Sequence, residues 1–453
     1  MAKIVKDLNQ GNVVKTMLTF ALPLLWASLI QMLYTTADMV IVGKFVGKSG
    51  LGSVSVGGDI AHFLLFFAIG FSNAGQVIIS QYLGAGLKEK VGKIIGTLFS
   101  FQFSSAVILG IITILFRKSF LQWVNTPEEI FEETSRYVLI CLSGLIFIFG
   151  YNAVSAILRG MGDSKHPLIF VAVSTAVNVV LDLLFVVVFK WGVAGAALAT
   201  VISQGICFIS SLLFLWKNRS DFGFDFKLRS FMMSAEALKP LMSLGIPMLL
   251  QSSALCFSML FVNSYINSYG LAAAAMNGIG NKVSMLVNAI TFALASAGSP
   301  MIGQAIGAEK YERVPKILAV ALTINSALSL AMGIVVVLFP LQVFGIFTSD
   351  SELLQLSLTY VPVTLVLLLG SALRPPMTAL INGSGNFKLN LLVGLLDGVF
   401  MRIGLSLLFG LVCGFGVYGF WYGHATAGLT PFFIGAVYFI SGRWKTRKYI
   451  IRN

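Results

Sequence analysis

Cysteine, histidine and acidic residues are scarce. The 453-residue chain has four Cys, three His and 18 Asp plus Glu. Cys141, Cys207, Cys256 and Cys413 stand far apart in apolar runs, with no CxxC and no Cys/His cluster, so they read as buried apolar residues rather than a disulfide framework or a zinc site. His62, His166 and His424 show no ligand spacing. GAGLKEK and RGMGDSK lack the G-x-x-x-x-G-K-[ST] order of a phosphate loop, and no nucleophile elbow occurs. No enzyme chemistry is therefore expected. Charge is scarce as well, at 11% of residues, against roughly a quarter in soluble domains. What remains is apolar: 57% hydrophobic residues, with a mean hydropathy of +0.89. This is the composition of a polytopic membrane protein. The N-terminal MAKIVKDLNQGNVVK is polar and has no cleavage signal, so the first apolar run is expected to stay in the mature chain.

A span needs about 20 apolar residues. Twelve stretches qualify: 17–42, 54–81, 94–116, 137–158, 167–189, 193–216, 241–266, 272–302, 317–339, 356–380, 389–412 and 416–440. With the N-terminus inside, 22 of the 31 Lys and Arg fall in inner segments, Lys3, Arg447, Lys448 and Arg452 among them, and 6 in outer ones. That asymmetry puts both termini in the cytoplasm. It also accounts for the net charge of +13 without a nucleic-acid partner. The longest basic connection divides the chain into an N-terminal lobe (1–216), a cytoplasmic linker (217–239) and a C-terminal lobe (240–453). The lobes repeat. SQYLGAGLKEKVGKI at 80–94 aligns with GQAIGAEKYERVPKI at 303–317, RGMGD at 159–163 with NGSGN at 382–386, and Tyr137 with Tyr360, all 223 residues apart. Pro23 aligns with Pro247, and Gly192-Val193 with Gly416-Val417, 224 apart. A repeat of six spans preserves orientation. The expected fold is thus all-α and polytopic, with 12 transmembrane helices in two pseudo-symmetric six-helix lobes around a central cleft.

The stretch from Ser174 to Gln204 is almost wholly apolar yet holds Asn178 and Asp182, which at i and i+4 share a helix face. A charge in hydrocarbon is costly and marks a functional site by default. Asp38 adds a second carboxylate in the first span, and the counterparts of both in the second half carry none. By helical rise, Asp38, Tyr34, Asp182, Asn178 and Thr200 fall in one layer of the outer half, and Tyr137 starts the fourth span on that side. Such carboxylates could carry a proton or a cation such as Na⁺, with Asn178, Thr200 and Tyr oxygens completing a hard-cation site. Pro23 lies about four turns before Asp38, where it produces either a static kink or a bend that follows protonation of Asp38. Arg374, Asp397 and Arg402 read as an intramembrane ion pair or triad, and Pro375-Pro376 should break or kink the tenth helix. Asp163 suits a turn and helix-end role.

PLLWASLIQMLYTTADMVIVGKFVG, ISQYLGAG, LRGMGDSKHP and NVVLDLLFVVVFKWGVAGAALATVISQ together resemble the multidrug and toxic compound extrusion (MATE) transporters, in the DinF- and MepA-like branch, over the full chain. The resemblance implies two six-helix lobes, alternating access, and export of amphipathic, often cationic compounds in exchange for H⁺ or Na⁺. It assigns Asp38, Tyr137, Asn178, Asp182 and Thr200 to ion coupling, with Na⁺ at Asp38, Asn178, Asp182 and Thr200 as one option. It also assigns Pro23 to bending of the first helix. Tyr34, Gln31, Met32, Gln251 and Arg374 are the candidate substrate cavity. The NorM-like branch instead carries acids in spans seven and ten. Here span seven has none and span ten has Arg374. The expected protein is a monomer in the cell membrane, inner or plasma, in contact with lipid and free of cofactors. The rival transporter reading is a lipid or lipid-linked oligosaccharide flippase, which would show a basic cavity for phosphate headgroups.

Overall fold

The computed structural model describes residues 5–446, and no strand occurs among them. Lys3, Arg447, Lys448 and Arg452 of the charge count lie outside the described residues. Twelve helical spans follow one another: α1 (Val13–Phe45), α2 (Lys48–Gly84), α3 (Lys88–Leu115), α4 (Glu128–Ser143 with Leu145–Gly160), α5 (Lys165–Val188), α6 (Gly192–Lys217), α7 (Ala235–Ser268), α8 (Leu271–Gly307), α9 (Arg313–Leu338), α10 (Ser351–Gly383), α11 (Phe387–Val412) and α12 (Gly416–Ile440). Eleven are long and apolar enough to cross a membrane, and α4 makes a twelfth if its two parts form one span. The fourth span was expected as a single helix over 137–158. It starts instead at Glu128 and bends by 45° about Gly144. At that bend a Cβ would stand 2.7 Å from a Val201 methyl of α6, so only glycine allows the approach.

Two compact units emerge. One is Pro23–Gly245 with the chain up to Asp7, and the other is Leu8–Leu22 with Ile246 onward. Lipid supplies no hydrophobic drive between spans, so helices associate through close packing at small residues. The same small-residue contacts recur in each unit. In the first, Gly57 faces the ring of Tyr137, Gly160 faces Gln76 and Ile79, and Gly195 faces Phe185. In the second, Gly280 faces Tyr360, Gly383 faces Ser299 and Ile302, and Gly419 faces Phe409. Each pair is 223 or 224 residues from its twin. The short turns into α6 and α12 match too: Gly192 and Gly416 have φ of 59° and 58°, the left-handed region that side chains avoid. Asp163 and Asn386, also twins, cap the helices that follow, accepting from the Lys165 and Leu389 backbone N–H groups at 3.0 and 3.1 Å.

Of the break or kink expected at Pro375-Pro376, the break does not occur: α10 runs on through Pro362 and both of these prolines. Proline lacks an N–H, so Pro376 frees the carbonyl of Ala372, one turn earlier. Buried Asn325 of α9 donates its amide to that carbonyl at 3.5 Å, a long hydrogen bond in the place of the lost one. α1 likewise continues through Pro23. The segment expected as a linker, 217–239, holds a short helix, Arg219–Phe222, a 3₁₀ turn, Leu228–Phe231, and the start of α7. It is fastened to α3. Ser100 donates to the Phe231 carbonyl, the Ser234 N–H donates to Thr97 Oγ1 at 3.2 Å, and Lys90 and Lys93 pair with Glu236 at 3.2 and 3.0 Å.

Candidate functional site

In the first unit, α5 supplies a polar face. Ser174, Asn178 and Asp182 succeed one another at one-turn intervals and all are buried. Ser174 Oγ donates to the Ser203 carbonyl at 2.9 Å, which fixes that face against α6. Directly after Asp182 the helix widens into a π-helical stretch, Leu183–Val188, so Asp182 closes the last regular turn. Such π turns recur at functional sites in helices.

Asp182 is 0% exposed, Asn178 1% and Asp38 5%. Both Asp182 oxygens, both polar atoms of the Asn178 amide, and Asp38 Oδ1 have no hydrogen-bond partner among the described residues. Asp38 of α1 is close enough to act electrostatically on Asp182, Tyr34 and Tyr137. Tyr34 and Thr200 share a hydrogen bond of 3.2 Å, linking α1 to α6. Tyr137 of α4 is buried, with its hydroxyl beside Cys141. The fold thus brings Asp38, Tyr137, Asn178, Asp182, Thr200 and Tyr34 together. Buried polar atoms normally find partners, and orphans of this number call for an unseen one. Two carboxylates without a basic partner call for a proton or a cation. Among the described residues no group of three or more His, Cys, Asp or Glu is placed to hold a metal ion. The remaining ligands are neutral oxygens, which suit H⁺ or a hard monovalent ion rather than a transition metal.

The other expected cavity residues fall elsewhere. Gln31 and Met32 lie on the exposed side of α1. Gln251, in the second unit, packs its stem against Gly394, where a Cβ would stand 2.8 Å from the Gln251 Cα. Arg374 of α10 lies 3.0 Å from Asp397 Oδ2, and Arg402 donates to Asp397 Oδ1 at 3.0 Å, so the anticipated triad forms. Asp397 sits in a second π stretch, Leu396–Met401, which α5 does not have. Arg402 Nη1 also approaches both ring nitrogens of buried His424 at 3.3 Å and its carbonyl at 3.4 Å.

His424 was missed as part of this cluster because the relevant signal is not ligand spacing but the repeat. At an offset of 224, set by Gly192 and Gly416, Arg402 corresponds to Asn178 and His424 to Thr200. The π stretch Leu408–Val412 of α11 corresponds to Leu183–Val188 of α5. The two units therefore share two polar positions, Asn178/Arg402 and Thr200/His424, in clusters whose charged groups differ in sign and place.

The MatE family profile matches residues 23–184 and 244–408. The chain is 30% identical over 371 residues to the probable multidrug resistance protein YoeA of Bacillus subtilis, covering 80% of each. It is 24% identical to the multidrug export protein MepA of Staphylococcus aureus, covering 86% of each. A solved outward-facing multidrug resistance MATE family transporter of the MOP superfamily superposes with a TM-score of 0.89 at 23% identity over 99% of both chains.

Proposed function

Because this chain belongs to the MATE family, we propose that it is a secondary antiporter that exports amphipathic, often cationic compounds in exchange for H⁺ or Na⁺. Asp38 and Asp182 are the coupling groups in this reading, assisted by Asn178, Thr200, Tyr34 and Tyr137. The observation that carries it is the pair of buried carboxylates with orphaned oxygens and no basic partner among the described residues. Carboxylates in such a setting bind a proton or a cation. Ion entry from outside then alters the balance of charge across α1 and α5, favours substrate release, and resets the cycle. Pro23 gives α1 a point at which it can bend without losing a further hydrogen bond. The protein works in the cell membrane as a monomer, with both termini cytoplasmic and with Gln31, Met32, Tyr34, Gln251 and Arg374 reached by substrate.

The test is uptake or efflux of a cationic dye in proteoliposomes under imposed pH or Na⁺ gradients in turn. Wild type should move the dye uphill under one gradient, which names the ion. Asp182→Asn should abolish uphill movement and leave membrane insertion intact. Full retention of efflux by Asp182→Asn would exclude the coupling role. The basic cluster at Arg374 and Arg402 favours a second reading, a flippase for phosphate-bearing lipids. That reading prevails if no gradient drives any cationic dye.

A further inference from the structure

The second unit carries an uncompensated positive charge inside its spans. Arg374 and Arg402 share one carboxylate, Asp397, and His424 adds no negative charge. Arg402 can donate only to an unprotonated ring nitrogen, so its contact with His424 keeps that ring neutral. The cluster therefore sums to one positive unit, which is costly in a span unless a counter-charge arrives. The two guanidiniums are not equivalent. Arg402 is buried, with its side chain 5% exposed, and both of its terminal nitrogens are engaged, Nη2 by Asp397 and Nη1 by His424. The Arg374 side chain is 28% exposed, and its approach to Asp397 Oδ2 is an ion contact at 3.0 Å that lacks hydrogen-bond geometry. Among the described residues its guanidinium makes no hydrogen bond, so its donors are left for a ligand that reaches the exposed part of the side chain.

We infer that Arg374 is the docking point for an anionic group, the carboxylate or phosphate of an amphipathic ligand, with Asp397 and Arg402 holding it in place. The planar fork matches such groups with two parallel hydrogen bonds. The neighbouring Arg402, which takes the place of Asn178 in the repeat, brings a second cation to the same carboxylate. The inference rests on the exporter reading only for the amphipathic nature of the ligand. It extends the substrates from cations to zwitterions and acids.

The experiment measures equilibrium binding by fluorescence anisotropy, without any ion gradient, to the full chain in phosphatidylcholine nanodiscs. The probes are a xanthene dye with a free carboxylate and its methyl ester. Wild type should bind the acid more tightly than the ester. Arg374→Gln leaves Arg402 and Asp397 as a balanced pair, and should weaken the acid by about tenfold or more while sparing the ester. Arg374→Lys keeps the charge without the fork and should fall between. Displacement of the acid by short-chain phosphatidylglycerol supports the site with a lipid phosphate as its occupant. Retention of the acid supports it with the substrate carboxylate. Equal wild-type affinity for acid and ester overturns the inference without reference to any variant, as does an equal loss of both probes in Arg374→Gln. If wild type still pumps a cationic dye in that case, only the anion site falls and the exporter reading stands.

Discussion

Asn178 and Arg402 hold the same place in the two halves of the chain, 224 residues apart, each one turn before its helix passes Asp182 or its twin, Ser406. The first shares a helix face with Asp182, both of whose oxygens lack a partner among the described residues. The second holds a carboxylate between two guanidiniums. One scaffold thus carries a site short of positive charge and a site in excess of it. Their stabilities should respond in opposite ways to loss of a charge.

Asp182→Asn removes a buried carboxyl group that has no basic partner among the described residues. It should leave the melting temperature of the purified protein unchanged or higher at neutral pH without added Na⁺. Thermal unfolding followed by intrinsic fluorescence reads this directly. A large fall would mean that the carboxylate is a structural tie.

Asp397→Asn does the reverse, leaving two guanidiniums without their shared acid. Breaking a buried ion pair from one side costs about 3–5 kcal/mol. The variant should lose several degrees of melting temperature or fail to accumulate, whereas Arg374→Gln should cost much less. Equal effects from the two would contradict the charge count.

Gly57→Ala would place a Cβ 2.5 Å from the Tyr137 ring, whereas Gly58 has nothing within 4 Å. The first substitution should destabilise by about 1–3 kcal/mol, as overpacking does, and the second should be tolerated. The second unit should show the same contrast between Gly280, the twin of Gly57, which faces Tyr360, and Gly278, which faces open space. Detergent-solubilised yield and melting temperature of the four alanine variants check the pairing.

Asn325→Leu removes the donor that serves the Ala372 carbonyl. A buried carbonyl left alone costs about 1–3 kcal/mol. Pro376→Ala restores a backbone N–H to that carbonyl, so the double variant should recover most of the loss. A double-mutant cycle without coupling would show that Asn325 has another role.

The twelve spans and the repeat were readable because hydrophobic length and colinear motifs are local properties. The polar layer at Asp38, Asn178 and Asp182 was readable because acids are rare enough in apolar runs to stand out singly. The bend of α4 was not, since it depends on a contact between Gly144 and Val201 that no periodicity encodes. Nor was the continuity of α10, where the local rule for proline yields to a donor on a different helix. The π turns beside Asp182 and Asp397 left no trace in composition. His424 carries no ligand spacing, and its contact with Arg402 follows only once the offset of the repeat is applied to the folded chain.

The spare charge at Arg374 also lies in the electric field of an energised membrane. A full drop of 100 mV acts on one elementary charge with about 2.3 kcal/mol. An acid seated on Arg374 cancels that charge, whereas a cation does not. Loaded and empty forms would then differ in how strongly voltage biases them, by an amount set by the ligand. Turnover of acidic and of basic cargo should therefore depend differently on membrane potential at a fixed ion gradient, which makes current a reporter of cargo class.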